Sequence, residues 1–329
     1  MKKDFIGIDI SKKKLDVWIH STQTHKIFEN NSQGFTQMLQ WVCKQLPDSS
    51  ATVFCMEHTG KYDVSLCLFL QSETRVYYKV SALRVRRSMG IKRGKSDKVD
   101  ARELARYAYL FQEELKGYQM PTPRLRNLKQ LLAHRAKLVR QRAAHKASLK
   151  ENQQVLGAEA SQWVQQSSSE LVSILSLQIK QTEIAIRELL QNAPELQHTF
   201  ELLNSIPGVG FVIAATMIVQ TENFQRFDNP RKFACFAAIA PFEHTSGSSI
   251  RGKTRISGLG NRQIKTLLSS AASIAIVHNK ELKAYYQRRL KQNKNKRSTL
   301  NVVRNKIVQR MFAVVKRGTP YVDLYKFAA

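Results

Sequence analysis

Acidic residues are scarce in this chain: Asp and Glu number 25 against 53 Lys and Arg, leaving a formal net charge of +28 over 329 residues. That deficit argues against a merely solvated surface and for a polyanionic partner, nucleic acid ahead of a membrane. Cysteine is scarce too. Cys43, Cys55, Cys67 and Cys235 are scattered without a CxxC pair, three of them in apolar contexts, which reads as reduced, buried thiols rather than a disulfide framework. Long hydrophobic runs are missing, since none approaches the roughly 18 residues a membrane helix needs. The opening MKKDFIGID meets acids at positions 4 and 9 and lacks the apolar centre of a signal peptide. With 43% hydrophobic residues, the expectation is a globular cytoplasmic protein.

Against that background the few acids stand out by position. Asp9 lies in the apolar run FIGIDI, Glu57 closes TVFCME, and Asp97 and Asp100 sit three apart in SDKVDARELA at a helix start. Residues 5–10 and 15–20 alternate like the strands of a hairpin joined by the basic turn SKKK, with a third strand near 26–29. Phe35, Met38, Leu39, Val42 and Leu46 recur at helical spacing after the caps Asn31 and Ser32. A strand at 52–57, a helix at 62–72 and a strand at 76–80 complete a mixed α/β layer. This element order is that of ribonuclease H-like folds.

Residues 84–98 form a basic connector with Arg84, Arg86, Arg87, Lys92, Arg93, Lys95 and Lys98. Its GIKRGKS is not a nucleotide-binding P-loop, because Gly90 and Gly94 are one residue too close and no strand directly precedes them. A flexible phosphate-contacting loop is the better reading.

From 124 to 192 the chain is nearly free of Gly and Pro, Gly157 being the lone break. Leu125, Leu128, Leu131 or Leu132, Leu138 and Leu149 mark one long helix; Leu171, Ile174 or Leu175, Ile179, Ile184 or Ile186, and Leu189 mark an antiparallel second, with QQSSSE as a candidate break. Between 124 and 150 the first arm carries nine Lys or Arg, Arg135, Arg140 and Arg142 among them, and no acid. A solvated helix interleaves acids, so this face suits a nucleic-acid backbone; an exposed dimerisation coil explains the pattern equally well. Beyond Pro194, SIPGVG at 205–210 reads as a helix-hairpin-helix turn or an ordinary helix connection. Residues 280–317 hold thirteen Lys or Arg against the single acid Glu281.

Phosphodiester transfer needs charge neutralised on the phosphate and on both in-line oxygens. Two Mg²⁺ ions roughly 4 Å apart supply this, and carboxylates are the ligands such hard cations take. Asp9 and Glu57 on neighbouring strands, with Asp97 and Asp100 on one helix face near its positive end, are candidate metal ligands and catalytic residues. Each also has an ordinary structural reading, as a turn acid, a strand-end charge, or a helix cap and first-turn acid. Downstream, AAIAPFEHTSGSSIRGKTRISGLGNR offers Ser246, Ser248 and Ser249 as nucleophiles and Arg251, Lys253, Arg255 and Arg262 as phosphate contacts. Residue chemistry alone does not choose among the serines, and a flexible loop that only touches phosphates fits the same composition.

Taken together, FIGIDISKKKLDV, CMEHTGKY, KSDKVDARELA, LLNSIPGVG, FACFAAIAP and SGSSIRG resemble the DEDD-type transposases of bacterial insertion sequences, insertion sequence family 110, and their Piv-type invertase relatives. The matching stretches run from residue 5 to about 262 in the family's order. The resemblance implies an N-terminal RuvC-like, ribonuclease H-like α/β domain (1–115), a basic coiled-coil middle (116–193) and a mostly helical C-terminal transposase domain (194–329). It carries the four acids over as Asp9, Glu57, Asp97 and Asp100, and the nucleophile as Ser246, the first serine of SGSS. It also implies a covalent 5′-phosphoserine intermediate, Mg²⁺, double-stranded DNA, an element-encoded structured guide RNA and a homo-oligomer, dimer or tetramer. His244, two residues before Ser246, invites a general-base role but reads as a bystander or phosphate contact. Two other functions compete: a Holliday-junction-type nuclease using metal-activated water, and a nucleic-acid-binding protein whose acids are structural.

Overall fold

The computed structural model describes residues 3–46, 51–58, 60–90, 94, 96–155, 162–247 and 250–323. The chain divides into two compact units, Met1–Met120 and Pro121–Ala329.

The first unit is built on a five-stranded mixed sheet ordered β3-β2-β1-β4-β5. Strands β1 (Asp4–Ile10), β2 (Lys14–Ile19) and β3 (Thr24–Glu29) form an antiparallel meander. Strands β4 (Thr52–Glu57) and β5 (Val76–Val80) add in parallel on the other side of β1. Period-two alternation sorts the residues. Ile6, Ile8, Ile10, Leu15, Val17, Ile19, Phe54 and Met56 point to one face, where they pack with residues of helices α1 (Ser32–Gln45) and α2 (Val64–Ser72). Asn31 caps α1 by accepting from the Gly34 amide at 2.8 Å. The opposite face carries Phe5, Val53, Cys55, Tyr78 and Val80 against the short helix α3 (Ala82–Ser88) and helix α4 (Asp97–Leu110).

Two expectations change here. Part of the basic connector is the helix α3, because Val85 reaches the core while Arg84, Arg86 and Arg87 stay outside. Ser96 rather than Asp97 caps α4, accepting from the Val99 amide at 3.3 Å, so Asp97 is the first helical residue.

The second unit opens with α5 (Pro123–Val155) and α6 (Gln162–Gln191), two long helices packed on each other. QQSSSE lies inside α6 rather than breaking it: the serines further along bond back to carbonyls four residues earlier, Ser173 to Ser169 and Ser176 to Val172, so hydroxyls do not interrupt the ladder. Leu125 and Leu128 of α5 and Ile186 and Leu190 of α6 share one core with α7 (Pro194–Asn204), α8 (Phe211–Thr221), α9 (Pro230–Phe236), α10 (Arg262–His278), α11 (Lys280–Lys291) and α12 (Lys296–Arg317). SIPGVG connects α7 to α8; at Gly208, with φ +91°, a side chain would run into the Ala271 carbonyl of α10. The segment with the serines is an antiparallel hairpin, β6 (Pro241–Ser246) and β7 (Ile250–Ile256), rather than a structureless loop. None of the four cysteines is in a disulfide; burial pushes Cys55 and Cys67 up to about 12, so neither is a thiolate near neutrality. Among the described residues no helix is long and apolar enough to cross a membrane.

Candidate functional site

Sheet register brings the acids together. Ile8 pairs with Met56 in the parallel β1–β4 ladder, so Asp9 and Glu57 follow side by side at the carboxyl ends of these strands. Both belong to the alternating set that faces α4. A side chain on Gly7 would overlap the Ala101 carbonyl and the Ala105 amide, so helix and strand touch backbone to backbone there. Because α4 meets Gly7 of β1 at Ala101 and Ala105 and meets Phe5 further along, with Tyr109 against its ring, the two elements run antiparallel. The start of α4, with Asp97 and Asp100 in its first turn, therefore lies at the Asp9 end of β1.

The electrostatics carry the signature of crowded like charge. Asp9, half-buried, is raised from an ordinary 3.8 to about 6, first by burial and then by Asp97, Asp100, Glu57 and Asp16. Asp16, a fifth acid the sequence reading left out, sits directly across from Asp9 in the β1–β2 ladder and is almost fully buried. His25 Nε2 lies 2.9 Å from one of its oxygens. Lys14 Nζ lies 3.2 Å from the other and donates to Asp97 at 2.8 Å, and these acids raise the lysine above its usual value. Lys14 thus holds two of the acids with one ammonium.

Among the described residues no three His, Cys, Asp or Glu side chains converge closely enough to grip one ion as they stand. The donor set nonetheless suits a hard divalent cation: carboxylates only, on two adjacent strand ends and a helix start, with more negative charge than Lys14 and the helix dipole offset.

The serine lies on the second unit. Ser246 ends β6, pairing with Ile250 across the hairpin, and Gly247 turns the chain with φ +55° and open space around it. Ser248 and Ser249 are outside the described residues, as are Lys92, Arg93 and Lys95. His244 pairs with Gly252, where a side chain would meet its carbonyl at 2.8 Å and its Nδ1 at 3.1 Å; the glycine leaves room for the ring. Lys253, Arg255 and Arg262 are exposed, and Arg251 lies on β7. Of the remaining cations named from sequence, Arg86, Arg87 and Arg140 are exposed. Arg84 pairs with Glu114 at 2.6 Å, Arg135 with Glu183 at 2.6 Å, and Arg142 donates to Ser176 at 3.3 Å.

Known proteins resemble this chain in sequence. Residues 6–155 match a family model described as transposase, and residues 200–287 match the model described as transposase IS116/IS110/IS902 family. The chain belongs to the IS110 family of transposases. It is 28% identical over 330 residues to the pilin gene-inverting protein of Moraxella bovis, covering 98% of each chain, and equally so to that of Moraxella lacunata. An uncharacterized 43.6 kDa protein of insertion element IS110 from Streptomyces coelicolor is 30% identical over 120 residues, 36% of this chain and 29% of that one. As a family member the protein is an enzyme that recombines DNA, and its acid domain carries a dependence on a divalent metal.

Proposed function

We propose that this transposase cuts and rejoins duplex DNA through a covalent phosphoserine. The Ser246 Oγ–P bond forms as the P–O3′ bond of one strand breaks, leaving a 5′-phosphoserine and a 3′-hydroxyl that takes up the proton. Attack of a 3′-hydroxyl on the phosphoserine then reseals a strand and regenerates the serine, so no external energy source is consumed. Asp9, Glu57, Asp97 and Asp100 hold two Mg²⁺ in a RuvC-like domain, residues 1–115. Bound there, Mg²⁺ supplies Lewis acidity and neutralises charge on the phosphate. Lys14 and Asp16 orient the acid group, and the helix start at Ser96–Asp97 adds its dipole.

The observation carrying this reading is the gathering of Asp9, Glu57 and the acidic first turn of α4 at one end of the sheet, where burial first, and then Asp97, Asp100, Glu57 and Asp16, raise Asp9 to about 6. A fold with no use for cations has no reason to gather them. The basic middle segment, 116–193, and the C-terminal segment, 194–329, hold DNA and an element-encoded structured RNA that pairs with target and donor. The 53 Lys and Arg and the exposed Arg140, Lys253, Arg255 and Arg262 support this. The working form is a dimer or tetramer. In its favour, Trp163, Ile174, Leu177 and Ile184 are 75%, 56%, 55% and 54% exposed on α6 at heptad-compatible spacing.

The test mixes protein, flanking-region RNA and element-end DNA with Mg²⁺, denatures, and separates by size. A DNA–protein adduct lost with EDTA, in Asp9→Ala and in Ser246→Ala is the expected result. Cleavage without adduct that persists in Ser246→Ala identifies a hydrolytic nuclease; DNA binding unaffected by Asp9→Ala or metal, with no cutting, identifies a binding protein.

A further inference from the structure

The base of the serine hairpin is fixed by α12. Asn301 and Asn305, one helical turn apart, both donate their side-chain amides to the Ile239 carbonyl, at 2.8 and 3.0 Å. Ile239 lies two residues before β6. The other leg is tied in as well: the Asn261 amide donates to the Phe236 carbonyl at 2.8 Å. Gly260, at φ +151°, lies so close to Ala238 that a side chain there would meet its Cβ at 2.7 Å.

Between the two asparagines in sequence is Arg304. Its Nη1 donates to the Asn301 Oδ1 at 3.2 Å, so one amide links the hairpin stalk to this guanidinium. Its Nε is buried and has no hydrogen-bond partner. Burial alone shifts it, downward, with no neighbouring acid acting on it. Arg289 Nε and Arg310 Nη1 are likewise buried without a hydrogen-bond partner; Arg304 differs from Arg310 and Arg135 in having no acid beside it. Arg310, two turns along the same helix, is paired with Glu281 at 2.5 Å, and Arg135 is paired with Glu183. Glu281 is also the single acid between residues 280 and 317. A half-buried guanidinium costs stability unless an anion completes it. Arginine's planar fork matches two phosphate oxygens, and burial strengthens the charge-assisted bonds.

We propose that Arg304 is a phosphate-binding site for duplex DNA at the foot of the serine hairpin, with Asn301 as the residue that positions it. Ser246 lies seven steps along the chain from Ile239, at most about 23 Å when extended. With the Asn301 link added, the phosphate held by Arg304 is therefore one flanking the scissile position, within roughly ten base steps at about 3.4 Å each. By sharing Asn301 with the stalk, the bound backbone sets where the hairpin tip meets the strand. The proposal rests on the reading of the protein as a DNA recombinase, but its readout is binding and not chemistry.

The test measures equilibrium binding of the full chain to a labelled mixed-sequence DNA duplex across a salt series, for wild type, Arg304→Met and Arg304→Lys, with thermal unfolding of each. Arg304→Met is expected to lower the slope of log K against log salt by about 0.9, one phosphate contact, on every sequence tried. Its melting temperature should hold or rise, because an unpaired cation has left the interior. Arg304→Lys should keep the slope. If Arg304→Met is insoluble, Arg304→Gln takes its place. An unchanged slope in a folded variant overturns the proposal, and so does a slope change seen on single-stranded RNA but not on duplex DNA. A fall in melting temperature with the slope intact overturns it too, since the arginine would then be structural. A normal slope change in a protein that forms no serine adduct would leave Arg304 standing and remove the phosphoserine reading alone.

Discussion

Asp9 keeps its proton to about pH 6, where an ordinary aspartate has released it near 3.8. The folded protein therefore binds a proton that the unfolded chain has lost, and metal-free stability falls as pH rises from about 4 to 6, then levels. Asp9→Asn should abolish that slope. In EDTA the variant's melting temperature is expected to exceed wild type at pH 7.5 and to match it below pH 4; coincident curves at both ends would contradict the crowding of acids. Divalent cation should reverse the order at pH 7.5, stabilising wild type and not the variant. That Asp9, Glu57, Asp97 and Asp100 come near one another was legible in the sequence because Asp9 interrupts an apolar strand run, Glu57 closes another, and Asp97 and Asp100 fall in the first turn of a helix. Asp16 and Lys14 were not, because their closeness depends on cross-strand register: Asp9 opposes Asp16 only once the SKKK turn has its actual length. Arg304 was hidden for another reason. Among thirteen cations between 280 and 317, composition cannot say which one is half-buried beside an asparagine.

Elements of the first unit followed from pattern and capping: β1 and β2 alternate, α1 repeats at helical spacing after its cap, and β4 and β5 read as short apolar runs. Their precise docking did not. Contact between α4 and β1 depends on the absence of a side chain at Gly7, and a lone glycine in a strand does not announce what approaches it. Gly7→Ala should force the helix away, costing about 1–3 kcal/mol as an overpacked core does, and should abolish cleavage by separating Asp97 and Asp100 from Asp9. Thermal unfolding and a cutting assay check both halves; a stable, active variant would refute the close packing. The β6–β7 hairpin escaped the sequence because Ser and Gly interrupt the alternation that marks strands, and its pairing is set by a bulge near Phe242 and His244. Its attachment to α12 is open to test through Asn305→Ala, which removes one of two amides on Ile239. Loss of roughly 1 kcal/mol is expected, together with slower adduct formation at unchanged DNA affinity. Unchanged adduct rate would mean the anchor does not govern the tip.

At the scale of the molecule, the helical hairpin was legible from the missing Gly and Pro, but the division of α6 into covered and uncovered faces was not. Ile179, Thr182, Ile186 and Leu190 are buried, whereas Ile174, Leu177 and Ile184 face outward. If that outer stripe joins copies of the chain, Ile174→Asp with Leu177→Asp should yield monomers by sedimentation, with melting temperature nearly unchanged because neither residue is in the core. An assembly of undiminished mass would place the contacts elsewhere. The account as a whole depends on where DNA becomes attached. Adduct formed with Mg²⁺ and the cognate nucleic acids should be digested with trypsin and nuclease and the modified peptide fragmented in a mass spectrometer. The predicted result is a 5′-phosphonucleotide on Ser246, within the peptide ending at Arg251; cut DNA with no modified peptide, from wild type and Ser246→Ala alike, would contradict it.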